Sequence, residues 1–536
     1  MRVARPWCGA HRRLLMTGAV VCTVLLALAA PGAGSQPPAA TPPAAPAPAT
    51  ATATADGVRA VARWAMSPMS KDTNGDGIID GDGGVPATGA DSLRPSPQLV
   101  GADNDIAQPH ERLIDGSLSW HLHEDGFDVV LNACRSRGAT HSWTVRRGTQ
   151  VVTRTPDSPL GRRTCTTVVR LPEDTYTATL RVRRGDRTAT DRIQFTVRNL
   201  IVVSMGDSYG SGEGNPRNIT AWLEQGGLLT GFTPYWDDPA CGRSANAGPA
   251  RAALALEQAS TTSSVTFVHV ACSGATLPVG VLGPQPGSGQ SISQVERVRQ
   301  IIGDRRIDAV VLSIGGNDIG FASIFASCAL ASGCPIAPAA LPPLTGFPTL
   351  QDGVQSRLSR LPDGYRRLAG CLGGNACAIT GPGESRPLNV SDAASVMPTL
   401  YPDLTRAANG SFCRYLQMTP SDFAWARSTL LLAEPPASYA YTAPNGAVSQ
   451  FPLPAGTLNS QIGATAAALG WSPVRGTWAA SGDSATGHGL CAGEDAWVFG
   501  LGIATAVPRG PIHPNPPGQR ALGEQIAAAL QFRLNP

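Results

Sequence analysis

Residues 200–214 read Leu-Ile-Val-Val-Ser-Met-Gly-Asp-Ser-Tyr-Gly-Ser-Gly-Glu-Gly, an apolar run that stops abruptly on small and polar residues. Short, near-continuous aliphatic runs suit parallel strands buried on both faces. The pattern recurs twice. Val265-Thr-Phe-Val-His-Val270 stops on Ala271-Cys272-Ser273-Gly274, and Asp308-Ala-Val-Val-Leu-Ser-Ile314 stops on Gly315-Gly316-Asn317-Asp318. Between the runs, 248–259 and 292–302 place Ala, Leu, Ile and Val at helical spacing. Strand–helix–strand alternation predicts an α/β fold, a doubly wound parallel sheet in three layers, spanning residues 199–536. Residues 395–401 read as a weaker further strand and 518–530 as a closing helix. Residues 328–390, rich in Pro, Gly and Cys, are expected to form a disulfide-bridged insertion. In open α/β sheets the carboxyl ends of the strands converge on one crevice. Ser208, Gly274 and Asn317, remote in sequence, are therefore predicted to share a cleft. His513-Pro514-Asn515, at the entry to the last helix, is placed to bring a histidine to it.

Upstream, residues 88–198 look all-β. Alternation is visible at Phe127–Leu131, His141–Val145, Tyr176–Val182 and Ile193–Val197, with turn residues at the intervals of a β-sandwich. Asp174–Val182 resembles a late strand of polycystic-kidney-type, Ig-like modules. Such modules bind carbohydrate or space domains. Spacing is the favoured reading, because no exposed aromatic platform is legible. His121 and His123 share one strand face, but no third metal ligand is evident.

Between 57 and 87, Asp72, Asn74, Asp76 and Asp80 fall at positions 1, 3, 5 and 9 of a loop, with Gly77 at position 6. This spacing wraps a calcium ion, and it resembles the loops of dockerin and thrombospondin type-3 repeats. The departure is Gly83 at position 12, beside Asp82. The loop is expected to hold structural Ca2+, the alternative being a turn-rich linker.

The first 35 residues carry Arg2, Arg5, Arg12 and Arg13 and no acidic residue, then an apolar run from Leu14 to Ala30 and small residues through Ser35. This reads as a secretory signal over 1–35, followed by a Pro/Ala/Thr linker over 36–56. The apolar run is shorter than the ~20 residues a spanning helix needs, so a secreted, extracellular protein without a stable membrane anchor is expected. The formal charge of +3 falls to −1 without the leader, which leaves no global field for phosphate backbones and sets nucleic acid aside. Ten cysteines remain beyond the leader, and none shows the paired CxxC spacing of a zinc site. Pairing in chain order keeps each bridge within one predicted domain: Cys134–Cys165, Cys241–Cys272, Cys328–Cys334, Cys371–Cys377 and Cys413–Cys491.

The ordered set Gly206-Asp207-Ser208, Gly274, Gly315-Gly316-Asn317-Asp318 and His513-Pro514 resembles the SGNH (GDSL) hydrolases. It looks closest to secreted actinobacterial esterases and lipases, whose serine block reads GDSY-x-SGEG. The resemblance implies a carboxylic-ester hydrolase with Ser208 as nucleophile, His513 as general acid/base, and no catalytic cofactor. The N–H groups of Ser208 and Gly274 and the side-chain amide of Asn317 would form the oxyanion hole. Most relatives place Asp three residues before the histidine. Here that position is Gly510, whose backbone carbonyl is expected to orient His513, because the spacing of Glu494 and Asp495 supports neither as a substitute.

Asp207 and Glu213 read as loop-shaping residues, His269 as a core residue and His488 as a fixed residue beside the Cys413–Cys491 bridge. Trp222, Phe232, Tyr235 and Trp236 either wall the acyl site or pack their own loop. The expected partner is an ester substrate, lipid or acylated glycan, met by a monomer. Two alternatives stand beside it: a polysaccharide or cell-wall deacetylase, and a calcium-dependent wall-binding protein whose hydrolase domain is inert.

Overall fold

A computed structural model of the chain describes residues 57–68, 70, 72, 75–79, 112–114, 117–119, 126–224, 232–330, 333–474, 487–505 and 507–536. The leader, the Pro/Ala/Thr linker, Asn74, Asp80, His121 and His123 lie outside the described residues. Among those described, no helix is long and apolar enough to cross a membrane.

The first part of the described chain is antiparallel. It comprises β1 (Arg63–Met66), a hairpin of β2 (Arg112–Ile114) and β3 (Ser117–Ser119), then β4 (Phe127–Asn132), β5 (Thr140–Arg147), β6 (Gln150–Arg154) and β7 (Ser158–Pro159). β8 (Thr166–Leu171), β9 (Asp174–Arg184) and β10 (Arg187–Val197) complete it. The strands form one sheet in the order β1-β4-β8 and another in the order β10-β9-β5-β6, with β7 on β5. Val129, Leu131, Trp143, Leu180 and Phe195 share one buried cluster between them. These are the inward positions of the alternating runs, as period-2 geometry requires. The module starts earlier than the boundary at residue 88. β1 pairs with β4, and Val58, Ala60, Ala62 and Met66 are core residues. The physical reason is that this strand alternates mostly through alanine, which leaves little hydrophobic contrast to read.

One residue, Arg198, separates β10 from the parallel sheet. There follow β11 (Asn199–Gly206), α1 (Ser208–Ser211), α2 (Ile219–Glu224), α3 (Gly248–Ala259), β12 (Ser264–His269), α4 (Gln294–Ile302), β13 (Ala309–Ser313) and α5 (Phe321–Leu330). Next come α6 (Leu350–Leu358), α7 (Leu361–Cys371), β14 (Val396–Pro398), α8 (Pro420–Ala426), the hairpin β15 (Ser438–Thr442) and β16 (Val448–Pro452), α9 (Leu458–Leu469) and α10 (Pro516–Leu534). The sheet order is β12-β11-β13-β14, parallel throughout. Its continuous apolar runs split by parity between two cores. Leu200, Val202, Phe267 and Val311 pack with α3 and α10, while Ile201, Val203, Val310 and Leu312 pack with α4, α6, α7 and α9. Helices on both faces make the doubly wound, three-layer α/β arrangement.

Residues 328–390 are more than a bridged insertion. α6 and α7 contribute Val354, Leu358, Tyr365 and Leu368 to the second core. Gly353, Pro362 and Gly364 interrupt the composition that would have announced these helices. All ten cysteines beyond the leader are bridged in chain order, Cys134–Cys165, Cys241–Cys272, Cys328–Cys334, Cys371–Cys377 and Cys413–Cys491.

Ile78 and Ile79, from the oxygen-rich loop, sit in the core between α3 and α10. Arg217 Nη1 donates to the Ile79 carbonyl at 2.8 Å, and Arg251 Nη1 to that of Gly77 at 3.1 Å. The upstream segment is thus stapled onto the α/β layer. Ile79→Ala is expected to destabilise the α/β unit by ~2–5 kcal/mol, read as a lower denaturant midpoint. An unchanged midpoint would show that the staple carries no weight.

Candidate active site

The site is built at the carboxyl end of β11. Gly206 has φ +125, and a Cβ there would lie 1.8 Å from the Ser313 carbonyl, so only glycine lets β11 turn so close to β13. The turn delivers Asp207 as N-cap of the single-turn helix α1, whose first residue is Ser208. The Asp207 carboxylate accepts from the Tyr209 N–H at 3.1 Å, the Ser313 hydroxyl at 2.9 Å and the Tyr401 hydroxyl. Burial foremost pushes its pKa up to about 6, with the hydrogen bonds from Tyr401 and Ser313 opposing. Tyr401 in turn accepts the Gly316 N–H at 2.8 Å, so one phenol ties the serine turn to the Asn317 turn.

The second turn is fixed by the Cys241–Cys272 bridge and by the Ser273 N–H, which donates to the Cys241 carbonyl at 2.9 Å. Gly274 follows at φ +82. The third turn is locked to the second by Asp318, both of whose carboxylate oxygens accept from the Leu277 N–H, at 3.0 and 3.2 Å. Asn317 Nδ2 donates to the Ala275 carbonyl at 3.0 Å, leaving its second N–H for another acceptor. The main-chain N–H groups of Ser208 and Gly274 make no hydrogen bond with any described residue.

His513 is held from both sides by the serine block. Tyr209 Oη donates to the Ile512 carbonyl at 2.8 Å, and Asn215 Nδ2 to the Pro514 carbonyl at 2.5 Å. Ile512 sits at φ +63, a conformation an isoleucine adopts only when its surroundings impose it. The carbonyl that meets His513 Nδ1 is that of Pro511, at 3.0 Å, and not the Gly510 carbonyl expected from the sequence. The Gly510 carbonyl is taken by the His513 main-chain N–H at 3.2 Å, and that tight turn aims Pro511 at the ring. Burial lowers the His513 pKa below 6.5, opposed first by the charge of Glu213 and then by the carbonyls of Pro511, Gly510 and Arg509. Glu213 is itself buried beside Arg509, at 3.4 Å. No carboxylate hydrogen-bonds to His513 among the described residues.

Ser208, Gly274, Asn317 and His513 all line one cavity of about 720 Å³. Helix α5 lines the same cavity, with Phe321, Phe325 and Ala329 at successive turns and Ala322, Ala326 and Leu330 beside them. Trp222, Phe232 and Trp236 do not line it. They cluster with Phe499, Ile503 and Val507, while Tyr235 lies beside Arg217. His488 stacks on Trp497 at 3.7 Å and meets the Asp495 carbonyl at 2.7 Å, outside the cavity, and His269 is fully buried in β12. Sequence reasoning missed the α5 wall, Tyr401, Tyr209 and Asn215. A faint signal lay in Tyr209, inside the serine block, and Asn215, directly after it.

No protein-family model matches the chain, and no curated protein matches it in sequence. Among solved structures it is similar to an extracellular lipase from Streptomyces rimosus, at 20% identity and TM-score 0.37, over 62% of this chain and 99% of that one. A phospholipase A1 from Streptomyces albidoflavus aligns at 19% identity and TM-score 0.31, over 62% and 98%. A carbohydrate acetylesterase family member from Sinorhizobium meliloti aligns at 13% and 0.26, over 63% and 100%.

Asp318 supplies a test of the site's electrostatics. Burial, its largest cause, pushes its carboxyl up to about 7 from 3.8. The folded state therefore binds the proton more tightly than the unfolded state. The stability this contributes is present at low pH and is lost as pH rises through about 7. Asp318→Asn should lose less stability than the parent between roughly pH 4 and pH 8, measured as urea midpoints. Equal losses would contradict the assignment.

Proposed function

We propose that the chain is a secreted serine hydrolase of the SGNH type that cleaves carboxylic esters with an apolar acyl group. The observation that supports this is that Ser208, Gly274, Asn317 and His513 line the same cavity as the apolar side chains of α5. His513 Nδ1–H donates to the Pro511 carbonyl, which fixes the tautomer and leaves Nε2 to take the Ser208 proton as Oγ attacks the ester carbonyl. The N–H groups of Ser208 and Gly274 and the free Nδ2–H of Asn317 receive the oxyanion. These donors add no net charge and need no reorganisation. His513 returns the proton to the leaving alcohol, and water then releases the acyl group from Ser208 by the same steps in reverse order. A backbone carbonyl stabilises imidazolium less than a carboxylate would, and the Glu213 charge offsets part of that difference.

The oxygen-rich loop is proposed as a structural calcium site formed by Asp72, Asn74, Asp76 and Asp80. Asp72 accepts N–H bonds from Gly75, Asp76 and Gly77, and Asp76 accepts one from Ile78, which curls the loop as such a site requires. Among the described residues no group of three or more His, Cys, Asp or Glu side chains converges as a metal site. Chelation by EDTA should lower the unfolding midpoint and added calcium restore it. An unchanged midpoint argues for a plain turn.

Hydrolysis of p-nitrophenyl esters tests the reaction. Ser208→Ala and His513→Ala should abolish turnover, Asn317→Ala should lower kcat by ~10²–10³, and Asp495→Asn should leave most activity. The kcat/KM profile should rise with pH through an apparent pKa below 6.5, because His513 must be neutral to accept the proton. Large loss in Asp495→Asn would overturn the carbonyl-oriented dyad.

A further inference from the structure

The net charge of the whole chain conceals a strong local imbalance. Between residues 126 and 198 the sequence carries fourteen arginines against six Asp and Glu, a net +8 within the antiparallel module. Five of these arginines fall on one surface, the outer face of the sheet ordered β10-β9-β5-β6. Strand register places them. Tyr176, Ala178, Leu180 and Val182 of β9 point into the core, so Thr177, Thr179, Arg181 and Arg183 point out. The same parity turns Ser142, Thr144 and Arg146 of β5 and Thr190, Arg192 and Gln194 of β10 to the same side.

Across the strands, the register pairs Arg192 with Thr179, Thr179 with Thr144 and Thr144 with Arg154. The adjacent row runs Thr190–Arg181–Ser142. Guanidinium groups are thus interspersed with hydroxyls on a grid of about 4.8 Å between strands and about 6.8 Å along them. One carboxylate reaches this face: Asp157 pairs with Arg183 at 3.3 Å, accepts from the Ser142 hydroxyl and also attracts Arg181. Arg154 and Arg192 form no ion pair with any described residue, Arg181 meets only the more distant attraction of Asp157, and all three are exposed.

Like charges on neighbouring strands repel, and one carboxylate compensates five arginines only in part, so the face carries excess positive charge. The composition of the face restricts what could compensate it. It has no aromatic side chain and only Val152 as an exposed aliphatic, so it lacks the apolar anchors of a protein–protein interface. A face four strands wide cannot enter a duplex groove, which admits a helix or a two-stranded ribbon. With nothing apolar to insert, it is also poorly made for a bilayer. What it offers is charge-assisted, fork-shaped donors interspersed with hydroxyls.

We infer that this face binds an extended anionic polysaccharide, with carboxylate or sulfate groups on the arginines and sugar hydroxyls on the Thr and Ser rows. The antiparallel module then serves to hold the chain on an acidic glycan, independently of the chemistry in the cavity.

The test uses the full chain and four immobilised polymers: polygalacturonate for carboxylate, dextran sulfate for sulfate, neutral dextran, and duplex DNA. Binding is expected to one or both anionic glycans, and not to neutral dextran. Arg154→Ser/Arg181→Ser/Arg192→Ser should weaken it at least tenfold and lower the slope of log K against log salt by about one per arginine removed. Arg360→Ser/Arg366→Ser/Arg367→Ser removes the same charge at and near α7 and should keep the affinity. Unfolding midpoints of both variants report whether they fold. Three outcomes overturn the inference: no glycan binding at physiological salt, equal weakening by both triple variants, or DNA bound as tightly as the glycans through the same three arginines.

Discussion

The site depends on one buried carboxylate. Asp207 accepts hydrogen bonds from the serine turn itself, from Ser313 at the end of β13 and from Tyr401 beyond β14. Three strand ends far apart in sequence are thereby fixed to one anion. Burying that anion is costly, and these hydrogen bonds offset the cost only in part, since its pKa still rises to about 6. Tyr401 passes the restraint to Gly316, next to Asn317, and Asp318 passes it on to Leu277, a few residues beyond Gly274. The turns that carry Ser208, Gly274 and Asn317 are thus held in place relative to one another. Such preorganisation lets neutral donors meet a developing charge without reorganising.

The histidine is held by a parallel device. Tyr209 and Asn215 reach from the segment around Ser208 to the carbonyls on either side of His513, so Ser208 and His513 are referenced to the same stretch of chain. This explains how a ring without a carboxylate partner keeps its orientation. The strain at Ile512 is the local cost of aiming the Pro511 carbonyl at Nδ1.

Much of this was legible in the sequence, for physical reasons. Parallel strands buried on both faces must be apolar without interruption, so 200–203, 265–270 and 308–314 announced themselves, and their polar tips marked the cleft. Helices α6 and α7 were not legible, because Gly and Pro dilute their periodicity while tertiary packing on the sheet keeps them helical. β1 was hidden by its small side chains. The α5 wall was missed because Phe321–Leu330 carries apolar residues on every side and so shows no single buried face. The Pro511 carbonyl was out of reach in principle, since which carbonyl of a turn faces a ring depends on backbone dihedrals. The charge of the antiparallel module vanished in the average over 536 residues, because the segment before it is acidic.

The central claim is that Ser208 is an activated nucleophile whose base is His513. Its most direct measurement is mass-spectrometric mapping of a fluorophosphonate adduct on the intact, folded chain. The account predicts a single stoichiometric adduct on Ser208 that is lost in His513→Ala. An adduct on another serine, or none on the folded parent chain, would contradict it.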